Sequence, residues 1–261
     1  MTNNHIKINK CIYCGGLGET DEHIIPFSLG GTDMLLKASC EKCRKKTEEC
    51  ESNTLKHHWS EVRALLKTPS RRGKLYKRSS SLDVILEDGT ETTLSFKNSE
   101  SLGLLPFLEF PLPAFFNPEG YEKGSRIKGT RLLYANPDYK KILKEKGVKT
   151  IKPTIFFKGC DFEKMVIKIA YCYVIQRLGI DGMEECFVLP TINGERDDVG
   201  RWMGCDFEEK ITPSIGKRKC INAMKMDISE EGYIAVRIRF FAGFNDVPEY
   251  IIIVGKIKGS E

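Results

Sequence analysis

The sequence predicts an α+β protein in two parts, residues 1–78 and 79–261. Three observations carry that prediction. Two Cys pairs, Cys11-x2-Cys14 and Cys40-x2-Cys43, stand with twenty-five residues between them, a spacing that lets one metal ion tie two distant turns together. Beyond residue 80, short runs of strand-forming residues alternate with turn residues. One long, largely apolar helix pattern stands among them at 161–178. With 261 residues and 41% hydrophobic content, the chain can bury the core of one large domain or two modest ones.

Taken in order, the first Cys pair belongs on a strand or knuckle. Residues 22–27 read as extended, because Pro26 lacks the N–H that a helix needs. Leu29-Gly30-Gly31-Thr32 reads as a turn. Over 43–66, Lys, Arg and Glu dominate without Gly or Pro, which predicts a helix that Pro69-Ser70 ends. Residues 82–96 predict a hairpin in which Asp83-Val84-Ile85-Leu86 and Thr92-Thr93-Leu94-Ser95-Phe96 flank Asp88-Gly89-Thr90. The stretch 104–116, rich in Pro, Phe and Leu, reads as an apolar connection. Residues 129–134 and 154–157 are strand candidates, and 141–146 a short helix. In 161–178, Met165, Ile169, Tyr173 and Ile175 fall near one face, with Asp161 as the cap and Gly179 as the stop. Two strands, 234–241 and 250–257, complete the pattern.

No run approaches the length of a membrane-spanning helix, and no charged-then-apolar leader precedes the Cys unit. The expectation is a soluble, cytoplasmic protein with reduced thiols. Cys50, Cys160, Cys172, Cys186, Cys205 and Cys220 then read as small buried hydrophobes or idle thiols. Net charge is only +5, but its distribution is uneven. Residues 63–78 hold Arg63, Lys67, Arg71, Arg72, Lys74, Lys77 and Arg78 with no acid among them. Such a block attracts polyanions through phosphate contacts and counterion release. Directly behind the Cys unit, it points to nucleic acid as the partner.

Four thiolates suit the tetrahedral preference of zinc, and an iron–sulfur cluster is the alternative for the same ligands. A unit this small buries too little apolar surface to fold unaided, so metal binding would supply folding free energy. A closed four-thiolate site leaves no position for water or substrate. Any chemistry must therefore come from Glu22-His23, between the two pairs. On an extended segment neighbouring side chains point to opposite sides, which gives the two residues different parts. The carboxylate is a hard ligand for a divalent cation, and the imidazole can take a proton from an attacking water. Phosphodiester hydrolysis uses both.

Cys11-x2-Cys14, Asp21-Glu22-His23-Ile24-Ile25-Pro26, Leu29-Gly30-Gly31 and Ala38-Ser39-Cys40-x2-Cys43 together resemble the HNH endonuclease superfamily. They resemble its subgroup with a treble-clef-like ββα-metal core and a zinc held by two Cys pairs. Thr47, Glu51, Leu55, Val62-Arg63-Ala64 and Arg71-Arg72 are similar to one bacterial branch, so the likeness spans about residues 8–75. It implies that His23 is the general base, that Glu22 binds a catalytic Mg²⁺ or Mn²⁺, and that Cys11, Cys14, Cys40 and Cys43 hold structural zinc. Two positions depart from the pattern. The usual middle Asn has no counterpart among Leu35, Leu36 and Lys37. The Asn or His expected directly after the second pair is Arg44, which cannot ligate a cation. Positions 44, 47, 48 and 51 share a helix face, so Glu51 is the candidate second ligand, ahead of Thr47 and Glu48, with His57 and His58 further along. Arg63, Arg71 and Arg72 are candidate phosphate contacts. The expected activity is metal-dependent cleavage of nucleic acid, DNA before RNA, with residues 79–261 regulatory or substrate-binding. The rival expectation is a zinc-dependent module that binds nucleic acid without cutting it.

Overall fold

The computed structural model describes residues 5–57, 59, 80–97, 100–152, 159–206 and 222–259. Its N-terminal unit consists of strands β1 (His5–Lys7), β2 (Thr20–His23) and β3 (Met34–Ser39), followed by helix α1 (Glu41–His57). β3 is central, with β1 parallel on one side and β2 antiparallel on the other. Between β2 and β3 the chain makes a single 3₁₀ turn at Phe27–Leu29. The Gly pair behind it is required by geometry. Gly30 sits at φ 81°, where a side chain is strained. A Cβ on Gly31 would fall 1.9 Å from the Ile25 carbonyl oxygen. The first Cys pair forms a tight knuckle, closed by Cys11 N–H to Gly16 O at 2.8 Å and joined to the end of β3 by Ile12 N–H to Ala38 O at 2.8 Å. Helix α1 starts directly after Cys40, two residues earlier than its composition suggested. Residues 60–79, and with them the Pro69 stop and the whole basic block, lie outside the described residues.

The second part opens with the expected hairpin, β4 (Ser80–Leu86) and β5 (Glu91–Phe96). Its turn is held by the Asp88 carboxylate, which accepts from Thr90 N–H at 2.8 Å. The stretch read as an apolar connection contains a strand, β6 (Leu104–Glu109), paired with the expected β7 (Gly129–Tyr134). Pro106 is tolerated there because β6 has one strand partner among the described residues, so its second edge needs no N–H. The short helix α2 (Tyr139–Glu145) leads to β8 (Val148–Lys152), which joins the free side of β4. The strand expected at 154–157 lies outside the described residues.

Helix α3 (Asp161–Leu178) matches its expected span, and Gly179 ends it. Its start differs from expectation: Cys160 occupies the cap position and no side chain caps it. Asp161 instead accepts from Asn53 Nδ2 at 2.7 Å, which fixes the first turn of α3 to α1. Nor is α3 a one-faced surface helix, since every residue from Met165 to Gln176 is buried. Beyond it come β9 (Met183–Cys186), β10 (Met203–Asp206), β11 (Asn222–Ile228), β12 (Tyr233–Phe240) and β13 (Glu249–Ile257). They form one antiparallel sheet in the order β10-β13-β12-β11, with β9 also on β13.

One apolar core runs through both parts. It includes Cys11, Ile12, Ile24 and Leu35 from the N-terminal unit, the body of α3, and Ile234, Val236, Ile252 and Val254 from the large sheet. A smaller core of Val84, Phe96, Leu102, Leu104, Val148 and Ile151 lies under the hairpin. The fold is thus mixed α+β, with α3 as the element that the N-terminal unit and the large sheet share. No helix among the described residues is long and apolar enough to cross a membrane.

Candidate metal centre and acid–histidine site

The four predicted Cys converge. The sulfurs of Cys11, Cys14, Cys40 and Cys43 all lie within 4.8 Å of one another, and Cys14 Sγ stands 3.7 Å from Cys40 Sγ. A tetrahedral site with Zn–S bonds of about 2.3 Å has edges of about 3.8 Å, so the cluster could hold a metal ion such as zinc. The backbone N–H of Cys43 lowers the Cys40 thiol to about 7, while burial pushes the Cys43 thiol up. The positive charge of a bound ion would favour the thiolate form of its Cys ligands. Cys50, Cys160, Cys172, Cys186 and Cys205 are free thiols, and Cys172 and Cys205 are buried as expected. Cys220 lies outside the described residues.

Glu22 and His23 sit side by side on β2, and the pleat separates them. Glu22 turns inward and is 6% exposed. His23 is half-buried, its ring 5.8 Å from that of Phe27. Glu51, on the fourth turn of α1, also turns inward toward Glu22. The two carboxylates do converge, and a third charged group stands between them. Lys168, on α3 and only 2% exposed, places its ammonium against Glu22 Oε1 and at 2.8 Å from Glu51 Oε1. The same nitrogen donates to the His23 carbonyl oxygen at 2.7 Å. Burial opposes the charge on Lys168, but Glu22 and Glu51 outweigh it and hold the ammonium above its ordinary pKa. Burial raises the Glu22 carboxyl, and the Lys168 ammonium pulls it back.

The other groups around this buried cluster come from the Cys knuckle and from α3. The Tyr13 hydroxyl reaches Cys172 Sγ at 3.5 Å and also acts on Glu22. Burial pushes the Cys172 thiol up to about 12, so a neutral thiol faces a neutral phenol. Tyr171 donates to Ile12 O at 2.6 Å, and Gln176 to Asp33 Oδ2 at 3.2 Å. Lys168, Tyr171, Cys172 and Gln176 follow helical spacing, and they make one polar stripe of α3 against the N-terminal unit.

The alternatives to Glu51 point elsewhere. Glu48 is exposed and pairs with Arg44, which also bonds Glu41 at 2.7 Å. Thr47 is buried and returns its hydroxyl to the Arg44 carbonyl at 3.1 Å. The His57 side chain, His58, Arg63, Arg71 and Arg72 lie outside the described residues. Sequence reasoning missed Lys168, Tyr13 and Cys172. One signal was present: Lys168 is the only charged residue between Met165 and Gln176, and a lysine inside an apolar helix run calls for a buried acid. Comparisons of this chain with protein-family models, with curated proteins and with solved structures return no match.

Proposed function

We propose that this chain is an endonuclease of the HNH type, hydrolysing phosphodiester bonds of nucleic acid, DNA first, with His23 as general base. One arrangement supports the reading: a four-Cys cluster is built from the knuckle before β2 and from the junction of β3 with α1, and β2, between the two Cys pairs in the chain, carries the acid–histidine pair. In this reading zinc in the Cys11, Cys14, Cys40 and Cys43 site is structural, since four thiolates close its coordination shell. The half-buried His23 imidazole is the proposed acceptor of the proton from the attacking water. Arg63, Arg71 and Arg72 are proposed phosphate contacts on sequence grounds alone.

The resemblance also implies Mg²⁺ or Mn²⁺ at Glu22, and the donor set does not fit that ion. Both carboxylates already face the Lys168 ammonium, which supplies the positive charge that a divalent cation would bring. That same observation, together with Arg44 in the place of a ligand, favours a second reading: a non-catalytic zinc-dependent module that binds nucleic acid. Plasmid and RNA substrates, incubated with Mg²⁺, Mn²⁺, Ni²⁺ or EDTA, separate the two. The nuclease reading expects nicking by the parent and a loss of about 10²- to 10⁴-fold in His23→Ala, with zinc content unchanged. Retention of nucleic acid without cleavage in any condition selects the second reading.

A further inference from the structure

We infer that Lys168 is the resident cation of the Glu22–Glu51 pair, an ammonium built into the chain where the HNH pattern calls for a divalent ion. The inference rests on the nuclease reading of this site, because that reading is what places a divalent ion there. Three observations carry it. The ammonium faces both candidate ligands, Glu22 Oε1 and Glu51 Oε1. Its third donor goes to the His23 carbonyl oxygen, and a lysine has three donors in all, so its shell is complete. Finally, its stem rises from the middle of α3, a helix buried from Met165 to Gln176.

These facts fix what the lysine does. A divalent cation needs the same two carboxylates, and beside the buried Lys168 ammonium it would meet a like charge with little water to screen it. The ammonium has no easy retreat, because it stands within the buried run from Met165 to Gln176, where a charge taken from its partners is costly. Lys168 thus closes the acid pair to metal. Through the His23 carbonyl it also ties down the end of β2 from which the imidazole projects, which makes it a positioning residue for His23.

Mn²⁺ binding to the zinc-loaded full chain, followed by paramagnetic resonance and by calorimetry, tests the inference without reference to cleavage. The parent should bind no Mn²⁺ that depends on Glu51 up to about 1 mM. Lys168→Met should gain one Mn²⁺ site, at least about tenfold tighter than any in the parent, and adding Glu51→Gln should remove it. Mn²⁺ should also raise the melting temperature of Lys168→Met and leave that of the parent unmoved. Parent binding that Glu51→Gln abolishes overturns the inference, as does a folded Lys168→Met that gains no site. Should Lys168→Met fail to fold, the parent and Glu51→Gln decide alone: Glu51-dependent Mn²⁺ binding overturns the inference and its absence upholds it. A protein inert toward all nucleic acids would defeat the nuclease reading and leave the Mn²⁺ result standing.

Discussion

Glu163 lies in the first turn of α3, 2% exposed, with both carboxylate oxygens buried. Burial raises its carboxyl above the ordinary glutamate value, and the nearby Ser125 hydroxyl offsets this only in part. The folded state therefore favours the protonated acid more than the unfolded chain does. The resulting stability is fully present below the unfolded pKa, near 4.3 for glutamate, and is lost as pH rises through the folded value. Glu163→Gln has nothing to titrate, so it should be more stable than the parent at pH 7, with the gap closing toward pH 4. Urea midpoints at the two pH values measure this, and a gap independent of pH would count against it. Lys168 presents the opposite case, a buried charge whose partners are in place. Glu51→Leu removes one of its two carboxylates and leaves Lys168 paired with Glu22. It should lower stability by about 1.5–3 kcal/mol in chemical denaturation, the worth of one hydrogen bond to a charged group.

The N-terminal unit depends on two tight pieces of backbone. One is the turn between β2 and β3, where Gly31 has no space for a methyl group against the Ile25 carbonyl. Gly31→Ala must shift that backbone, and overpacking of this kind costs about 1–3 kcal/mol. Its melting temperature should fall while its zinc content holds. The other is the Cys knuckle, whose two Cys join a four-Cys cluster that could hold a metal ion such as zinc. Cys14→Ser should lower zinc content and loosen the backbone from Cys11 to Gly16, read as faster amide exchange there. Retained zinc with unchanged exchange would argue against the four-Cys metal site. Because Tyr13 and Ile12 lie in the same knuckle and contact α3, chelation should also be felt at Tyr171 and Cys172.

Trp59 shows how the two parts of the chain depend on each other. It follows α1, is fully buried, and donates its indole N–H to Pro106 O at 2.9 Å. Its ring lies 5.1–5.8 Å from those of Phe107, Phe162, Phe240 and Phe241, so β6, α3 and β12 all meet one residue of the N-terminal half. Trp59→Ala should cost about 3–5 kcal/mol. Since the core is continuous, calorimetry should show a single transition moving down in temperature rather than a separate N-terminal melt. Two resolved transitions would mean that residues 1–78 fold as an independent domain.

Much of this molecule could be read from short-range signals. Cys spacing, the Asp-Gly-Thr turn of the hairpin, the Gly-Gly turn after β2 and the span 161–178 each depend on residues close in sequence, and each appears where those residues place it. The pleat alone was enough to put Glu22 and His23 on different sides of β2. Pairing of Glu22 with Glu51 could be argued from helix spacing, because α1 follows β3 directly. The partner of those acids could not. Lys168 reaches them from 117 residues beyond Glu51, and nothing local says which buried acid a lone lysine in an apolar helix will meet. The same holds for the strand at Leu104–Glu109, whose Pro and apolar run became ordered only through β7 and Trp59. Local propensity names the elements, whereas burial of charge is settled by the elements that surround it. In this chain that burial puts an ammonium between the two acids where a divalent metal ion was expected.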